Sequence, residues 1–388
     1  MNGPTQIAER LARIQPFYVM DLLAQARALE AQGRDLVHME VGEPDFPTPE
    51  PILRAGAQAL AAGDTHYTPA LGLPSLRQAI AGHYRDRFRL DLDRARVAVT
   101  PGASGALLLA LGVLVNPGDE VLLADPGYPC NRNFVEFLGG RPVGIPVGAD
   151  SGYQLNAGLV DRAWTPRTRA VLVASPSNPT GTLLPKDQLA ELHGLVRHRG
   201  GTLILDEIYQ ELVFDQAPYT GLEVAQDLIL INSFSKYYGM TGWRLGWLVA
   251  PPELMEPIDR LAQNLFLAPS TLAQRAALAA FSPETRIITE QRRLEFQRRR
   301  DFLVPALRDL GLGLPLVPQG AFYLYADCGA ITSDSFSFAH TLLDQAGVAV
   351  TPGRDFGHYH PERHLRFAYT RDIGRLAEGV ERIRRFLG

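Results

Sequence analysis

From residue 97 the chain alternates short apolar runs with longer segments of helical spacing. VAVT (97–100), EVLLAD (120–125), AVLVAS (170–175), TLILDE (202–207) and LILINS (228–233) are rich in aliphatic and β-branched residues. Between them lie LLLALGVL (107–114) and KDQLAELHGLVRHRG (186–200). Continuous apolar strands separated by helices predict a mostly parallel sheet covered on both faces, a three-layer α/β/α fold. The rhythm ends near Ala250, and a helical region follows from about 253 to 310. GAFYLYADC (320–328), AGVAVTPG (346–353) and HLRFAY (364–369) then read as three strands of a second, smaller sheet. Near the start, FYVMDLLAQARALEAQG (17–33) reads as a helix ending at Gly33, before a proline-punctuated extended segment, MEVGEPDFPTPEPI (39–52). The pattern predicts a large domain over 45–285 and a small α+β domain built from both chain ends, 1–44 and 286–388.

At 388 residues, 46% apolar and 21% charged, the chain is long enough for a large domain and a smaller companion. A formal charge of -4 offers no broad basic field, which argues against nucleic-acid and anionic-lipid partners. The arginines of 286–300 alternate with Glu290 and Glu295, the pattern of a solvated helix between domains. Cys130 and Cys328 form no CxxC pair, which fits a reducing cytoplasm, and the first fifteen residues lack the basic and apolar regions of a secretory leader. The longest apolar run, 106–115, is too short to span a bilayer and reads as a buried helix. His358, His360 and His364 lack an anchoring carboxylate or cysteine pattern, so no metal site is expected.

Ligands of α/β sheets gather at the carboxyl ends of the strands, so the loops there are the places to look for chemistry. TPGASGALLLA (100–110) leaves a strand and opens a helix: Gly102, Ala103 and Ser104 either cradle an anion or make an ordinary strand-to-helix turn. It is neither GxGxxG nor GxxxxGK[ST], so the nicotinamide and nucleotide fingerprints are missing. In ASPSNPTGT (174–182), Asn178 offers an amide to a ligand oxygen or forms an Asn-Pro turn. In TLILDEIYQ (202–210) a buried strand runs into Asp206, which needs a cationic or N–H partner unless it caps a turn; Tyr209 is within reach of the same place. The last loop, SFSKYYGMTGWRLGW (233–247), brings Ser233, Ser235, Lys236 and Arg244 to one strand end. Lys236 is one of only two lysines among 38 basic residues, the other being Lys186. Arginine bias alone accounts for that scarcity, yet a primary amine does what a guanidinium does not: it loses its proton and forms a Schiff base. Amine, anion cradle, amide donor and buried carboxylate together meet the needs of pyridoxal 5'-phosphate.

At this point the chain resembles the class I and II aminotransferases of pyridoxal-phosphate fold type I, the aspartate aminotransferase-like proteins, over essentially its whole length. VGEPDFPTP, HYTPALGLPSLRQAI, TPGASGAL, DPGYPCN, SPSNPTG, LDEIY, SFSKYYGMTGWRLGW, GAFY and LRFAY follow in the family's order. The resemblance implies a transaminase that moves the amino group of an L-amino acid to a 2-oxo acid in two ping-pong half-reactions, with catalytic residues Lys236, Asp206 and Tyr209. Lys236 would carry the cofactor as a Schiff base and shuttle the substrate proton; Asp206 would pair with the ring nitrogen. Tyr209 and Asn178 would bond the phenolic oxygen, and Tyr128 would stack on the ring. Gly102, Ala103, Ser104, Ser233 and Arg244 would hold the phosphate. Arg366, Asn178 and Gly42 would receive the substrate carboxylate. Tyr67 would reach the phosphate of a neighbouring subunit, which implies a homodimer with shared sites. Two departures stand out. Ser104 occupies a place where some aspartate-preferring members carry lysine, and Tyr237-Tyr238 puts bulk where many members have smaller residues, either narrowing the pocket or repacking it. Rival readings are a carbon–sulfur β-lyase or related synthase on the same scaffold, and a non-catalytic cofactor-sensing module.

Overall fold

The computed structural model describes residues 6–388; the first five residues of the 1–44 segment, with that part of the leader reading, lie outside them. The strands are β1 (Val37–His38), β2 (Val97–Thr100), β3 (Glu120–Asp125), β4 (Arg141–Pro146), β5 (Thr168–Ala174), β6 (Thr202–Asp206), β7 (Ile229–Ser233), β8 (Gly246–Val249), β9 (Tyr323–Asp327), β10 (Val348–Ala349), β11 (Thr351–Pro352) and β12 (His364–Ala368). Seven of them form the large sheet in the order β2-β8-β7-β6-β5-β3-β4. Its pairings are parallel except those of β8, which runs against both β2 and β7.

Two of these strands escape a reading by apolar runs. RPVGIP in β4 carries prolines at both ends of its pattern, which only an edge strand tolerates, and β4 pairs with β3 alone. The GWLV of β8 follows Arg244 within the 233–247 motif and turns out to be the return strand of a hairpin, with Ser233 opposite Gly246. That hairpin holds residues 234–245 at the sheet edge where the parallel strands end. Backbone contact is close there: a Cβ on Gly246 would lie 2.8 Å from the Ala103 amide nitrogen, so a side chain would push the 102–104 turn aside.

Helices cover both faces. Gly102–Leu114, the predicted buried helix, and Pro252–Leu265 lie on one face, where Leu107, Leu109 and Leu111 share a core with Ile229, Ile231 and Leu248. The other face packs Val99, Leu122, Val171, Val173, Leu203 and Leu230 into a core continuous with Phe322, Leu324 and Phe367 of the small sheet. Buried side chains on both faces explain why the strands read as uninterrupted apolar runs.

The small part combines both chain ends. Strands β11-β12-β9 form an antiparallel sheet, while β1 pairs in parallel with β10. The 346–353 segment therefore serves two sheets, changing partner at Val350, where one continuous strand was expected. Helix Tyr18–Glu30 ends before Gly33, whose φ of +87° a side chain would resist, and its Leu22 and Ala26 pack with Leu36, Leu343 and Ala349. Helix Pro283–Arg308 differs from the solvated helix expected of its arginines. Arg299 and Arg300 are buried; Arg299 donates to Asp45 at 2.8 Å and stacks 4.9 Å from the Phe46 ring centre, so the charge is paired before it is covered. Among the described residues no helix is long and apolar enough to cross a membrane.

Candidate active site

The carboxyl ends of β6 and β7, the β7–β8 loop and the small sheet enclose a cavity of about 310 Å³. Lys236 reaches into it from the β7–β8 loop, and its Nζ donates to the Gly42 carbonyl at 2.7 Å. Burial, then the Arg366 charge, pull its ammonium down to about 8, within reach of a neutral amine near physiological pH. Lys186 stands elsewhere, on the surface, bonded to Glu223 at 2.5 Å.

Asp206 ends β6 and is almost fully buried. The Ile208 amide donates to its Oδ1 at 3.1 Å, and burial pushes its carboxyl up to about 7. A carboxylate so short of partners is a receptor for a cation. Tyr209 points to the same place, its hydroxyl 2.8 Å from that of Tyr323; burial holds both phenols above their usual range.

Across the cavity, Arg366 of β12 is buried. Its Nη1 donates to Asn178 Oδ1 at 3.0 Å and its Nη2 to the Glu40 carbonyl and, at 3.3 Å, to Thr351 Oγ1. Its Nε has no partner. The guanidinium lies 4.4 Å from the Tyr323 ring centre, which fixes its plane. Since Asn178 Oδ1 is spent on Arg366, its amide nitrogen is left to donate.

The first turn of helix Gly102–Leu114 brings Ala103 and Ser104 to the wall, beside Ser233, Ser235 and Arg244. Arg244 sits at a φ of +53°, uncommon for a residue with a side chain, and donates through Nη1 to the Thr241 carbonyl at 3.1 Å. Gly102 does not line the cavity; a Cβ on it would come within 2.7 Å of Arg244 Nη2, so glycine leaves room for the guanidinium. Free N–H groups at a helix start beside an arginine make an anion site.

Of the residues singled out in the sequence, Gly42, Ala103, Ser104, Tyr128, Asn178, Asp206, Tyr209, Ser233, Lys236, Arg244 and Arg366 line this one cavity. Tyr67 does not; it is 83% exposed on the surface of the chain. Tyr237 and Tyr238 do not line it either. Tyr237 donates to Glu290 Oε1 at 2.7 Å and Tyr238 packs on Phe234 and Phe281, so their bulk repacks the protein behind the loop. Tyr323 is the chief residue missed: it touches Tyr209 and Arg366, and a Cβ on Gly42 would fall 1.9 Å from its hydroxyl. Its signal was present in GAFY, which marks the strand without saying which face the tyrosine takes.

The set fits pyridoxal phosphate: an amine with a lowered pKa, a buried carboxylate awaiting a cation, an anion cradle, and an arginine with an unused donor. One consequence belongs to the cofactor-free chain. Asp206 keeps a proton in the native state that the unfolded chain releases, between its ordinary 3.8 and about 7, so its contribution to stability is lost as pH rises through that window. Lys236 has the opposite sense: its contribution is lost as pH falls from 10.5 through about 8. Urea melts of cofactor-free protein between about pH 5 and pH 7 should show Asp206→Asn flattening the decline by up to a few kcal/mol.

This fold and this site define a pyridoxal-phosphate-dependent aminotransferase. The chain belongs to the class I and II aminotransferases, whose family model matches residues 34–383. It is 38% identical to the (5-formylfuran-3-yl)methyl phosphate transaminase of Methanocaldococcus jannaschii, covering 98% of this chain and 99% of that one. It is 39% identical to the valine–pyruvate aminotransferase of Mycobacterium tuberculosis, over 96% of each. The aspartate aminotransferase of Thermus thermophilus, solved with maleate, superposes with a TM-score of 0.93 at 35% identity, over 98% of this chain and 99% of that one.

Proposed function

We propose that Lys236, Asp206, Tyr209 and Arg366 run amino-group transfer from an L-amino acid to a 2-oxo acid within one cavity. When bound, pyridoxal phosphate supplies an aldehyde that couples to a primary amine and a ring that takes up the electron pair of the substrate Cα–H bond. Lys236 Nζ would be the amine that holds the cofactor at rest and, once freed, would take the proton from the substrate Cα and deliver it to the cofactor's C4'. Its lowered pKa supports that role, since a base works best when its pKa lies near the working pH. Asp206 holds positive charge at the ring nitrogen. The Tyr209 hydroxyl and the Asn178 amide nitrogen donate to the phenolic oxygen, and Tyr128 covers the ring. Arg244, with Gly102 giving it room and Ala103, Ser104 and Ser233 at its side, neutralises the phosphate. Arg366 takes the substrate carboxylate through its planar guanidinium, beside Gly42.

The observation that carries this reading is the buried Arg366 guanidinium lining the same cavity as an amine at about 8 and a carboxyl at about 7. The exposure of Tyr67 supports a homodimer in which it reaches a neighbouring subunit's phosphate. Two free cysteines support work in a reducing cytoplasm, and membership of the aminotransferases supports a part in amino-acid metabolism, which we take to be biosynthetic. The division at 1–44, 45–285 and 286–388 belongs to the same reading, its second boundary falling in the first turn of helix Pro283–Arg308.

The test is a half-reaction. Holoenzyme mixed with one amino acid and no acceptor should release one equivalent of 2-oxo acid per site while the cofactor band shifts to the amine form. Continuing release of ammonia and an oxo acid without acceptor would replace transfer with elimination.

A further inference from the structure

Resting on the transfer reaction proposed above, its substrate class can be read from the charges and the apolar wall of the cavity. Three cations line it, Lys236, Arg244 and Arg366. The cofactor amine, the phosphate and the substrate α-carboxylate use all three. Apart from three tyrosine phenols, the remaining ionisable groups on the wall are Asp206 and Glu43, both carboxylic acids. Glu43 Oε1 accepts from Thr241 Oγ1 at 2.6 Å, which holds that negative charge in place. A second substrate carboxylate would lose water and meet no cation of this chain. Ser104 on that wall offers a hydroxyl and no charge. Arg132 lines an adjoining pocket of about 110 Å³ that shares Tyr128, Ala174 and Asn178 with the cavity, and its Nη2 is already bonded to the Asp355 carbonyl at 2.7 Å.

What faces the cavity from the N-terminal helix is apolar: Phe17, Val19 and Met20. This wall is mounted firmly. The amides of Tyr18 and Val19 donate to the two carboxylate oxygens of Asp355 at 2.9 and 3.2 Å, and Leu22 one turn on is buried in the small core. Phe17 meets Tyr128 edge to face at 6.2 Å, so the wall continues to the residue proposed to cover the ring. Residues 264–270, NLFLAPS, contain no charge, and Thr271 Oγ1 donates to the His66 carbonyl at 2.6 Å, tying that segment to Tyr67.

We propose that the amino-acid substrate carries an uncharged, apolar side chain, seated against Phe17, Val19 and Met20. Apolar contact gains free energy by removing both surfaces from water, whereas a dicarboxylate or a diamine gains nothing from this wall.

The experiment measures half-reaction kcat/KM of holoenzyme with leucine, methionine, phenylalanine, aspartate, glutamate and lysine. The apolar donors should exceed the charged ones by about tenfold or more. Met20→Arg, at a half-exposed rim position, should raise aspartate and glutamate relative to leucine. Calorimetry should show 4-methylpentanoate and 3-phenylpropanoate binding resting holoenzyme more tightly than succinate, with Arg366→Lys weakening all three. Aspartate, glutamate or lysine leading the series, or an unchanged ratio in Met20→Arg, overturns the inference and leaves the transfer activity standing. Carboxylates that bind in the expected order while no amino acid converts the cofactor would instead sink the activity and keep the apolar wall.

Discussion

Lys236→Ala is expected to lower turnover by more than about 10⁴-fold, at the upper limit of what a single positioned proton-transfer group supplies. The loss is this large because one amine does two jobs: it holds the cofactor, and it moves a proton at the substrate Cα. Lys236→Arg should fail almost as badly, since a guanidinium remains protonated where a neutral amine is required. Lys236→Ala should not unfold the protein. The Nζ bond to the Gly42 carbonyl is a single hydrogen bond at a cavity wall, and removing a charge from that site relieves a desolvation cost. Initial rates with an apolar donor and a 2-oxo acid, alongside thermal melts, separate loss of chemistry from loss of fold.

Arg366→Lys is expected to cut kcat/KM for amino acids by about two to three orders of magnitude, equivalent to the roughly 2–5 kcal/mol lost when one partner of a buried charge pair is truncated. Lysine keeps the charge but has neither the planar fork nor the Nε donor. It also abandons Asn178 Oδ1, the Glu40 carbonyl and Thr351 Oγ1, which the guanidinium now satisfies. Cofactor absorbance should survive, because Arg366 belongs to the small sheet and serves the substrate carboxylate, while Lys236 and Arg244 of the β7–β8 loop hold the cofactor. Steady-state kinetics with a cofactor spectrum on the same sample check both halves. Unchanged kcat/KM would remove Arg366 from the substrate site.

The sequence made the strand-end residues legible because chemistry there interrupts an apolar run. Asp206 closes TLILD, Ser233 closes ILINS, and Asn178 follows AVLVAS, so each announces itself by polarity where burial is expected. Arg244 was found through its motif, although the strand that positions it was not. An antiparallel strand of four residues looks like the tail of a loop until Ser233 is seen opposite Gly246. Tyr323 and Asp355 were hidden for a different reason. Tyr323 lies on one face of a strand buried on both, so no polar alternation shows which way it points. Asp355 meets the amides of Tyr18 and Val19 across more than 330 positions of chain, and no local pattern encodes that distance. Tyr237 and Tyr238 show the converse: neighbours of the lysine in sequence, they are turned to Glu290 and Phe281 in space.

The most direct measurement follows from the scarcity of lysine. Borohydride reduction of purified holoenzyme fixes the cofactor to whichever amine carries it, and peptide mapping then has two lysines to choose between. The label should fall on Lys236, buried in the cavity with its amine at about 8. A label on Lys186, paired with Glu223 at the surface, or a protein that takes no label at all, would contradict the assignment.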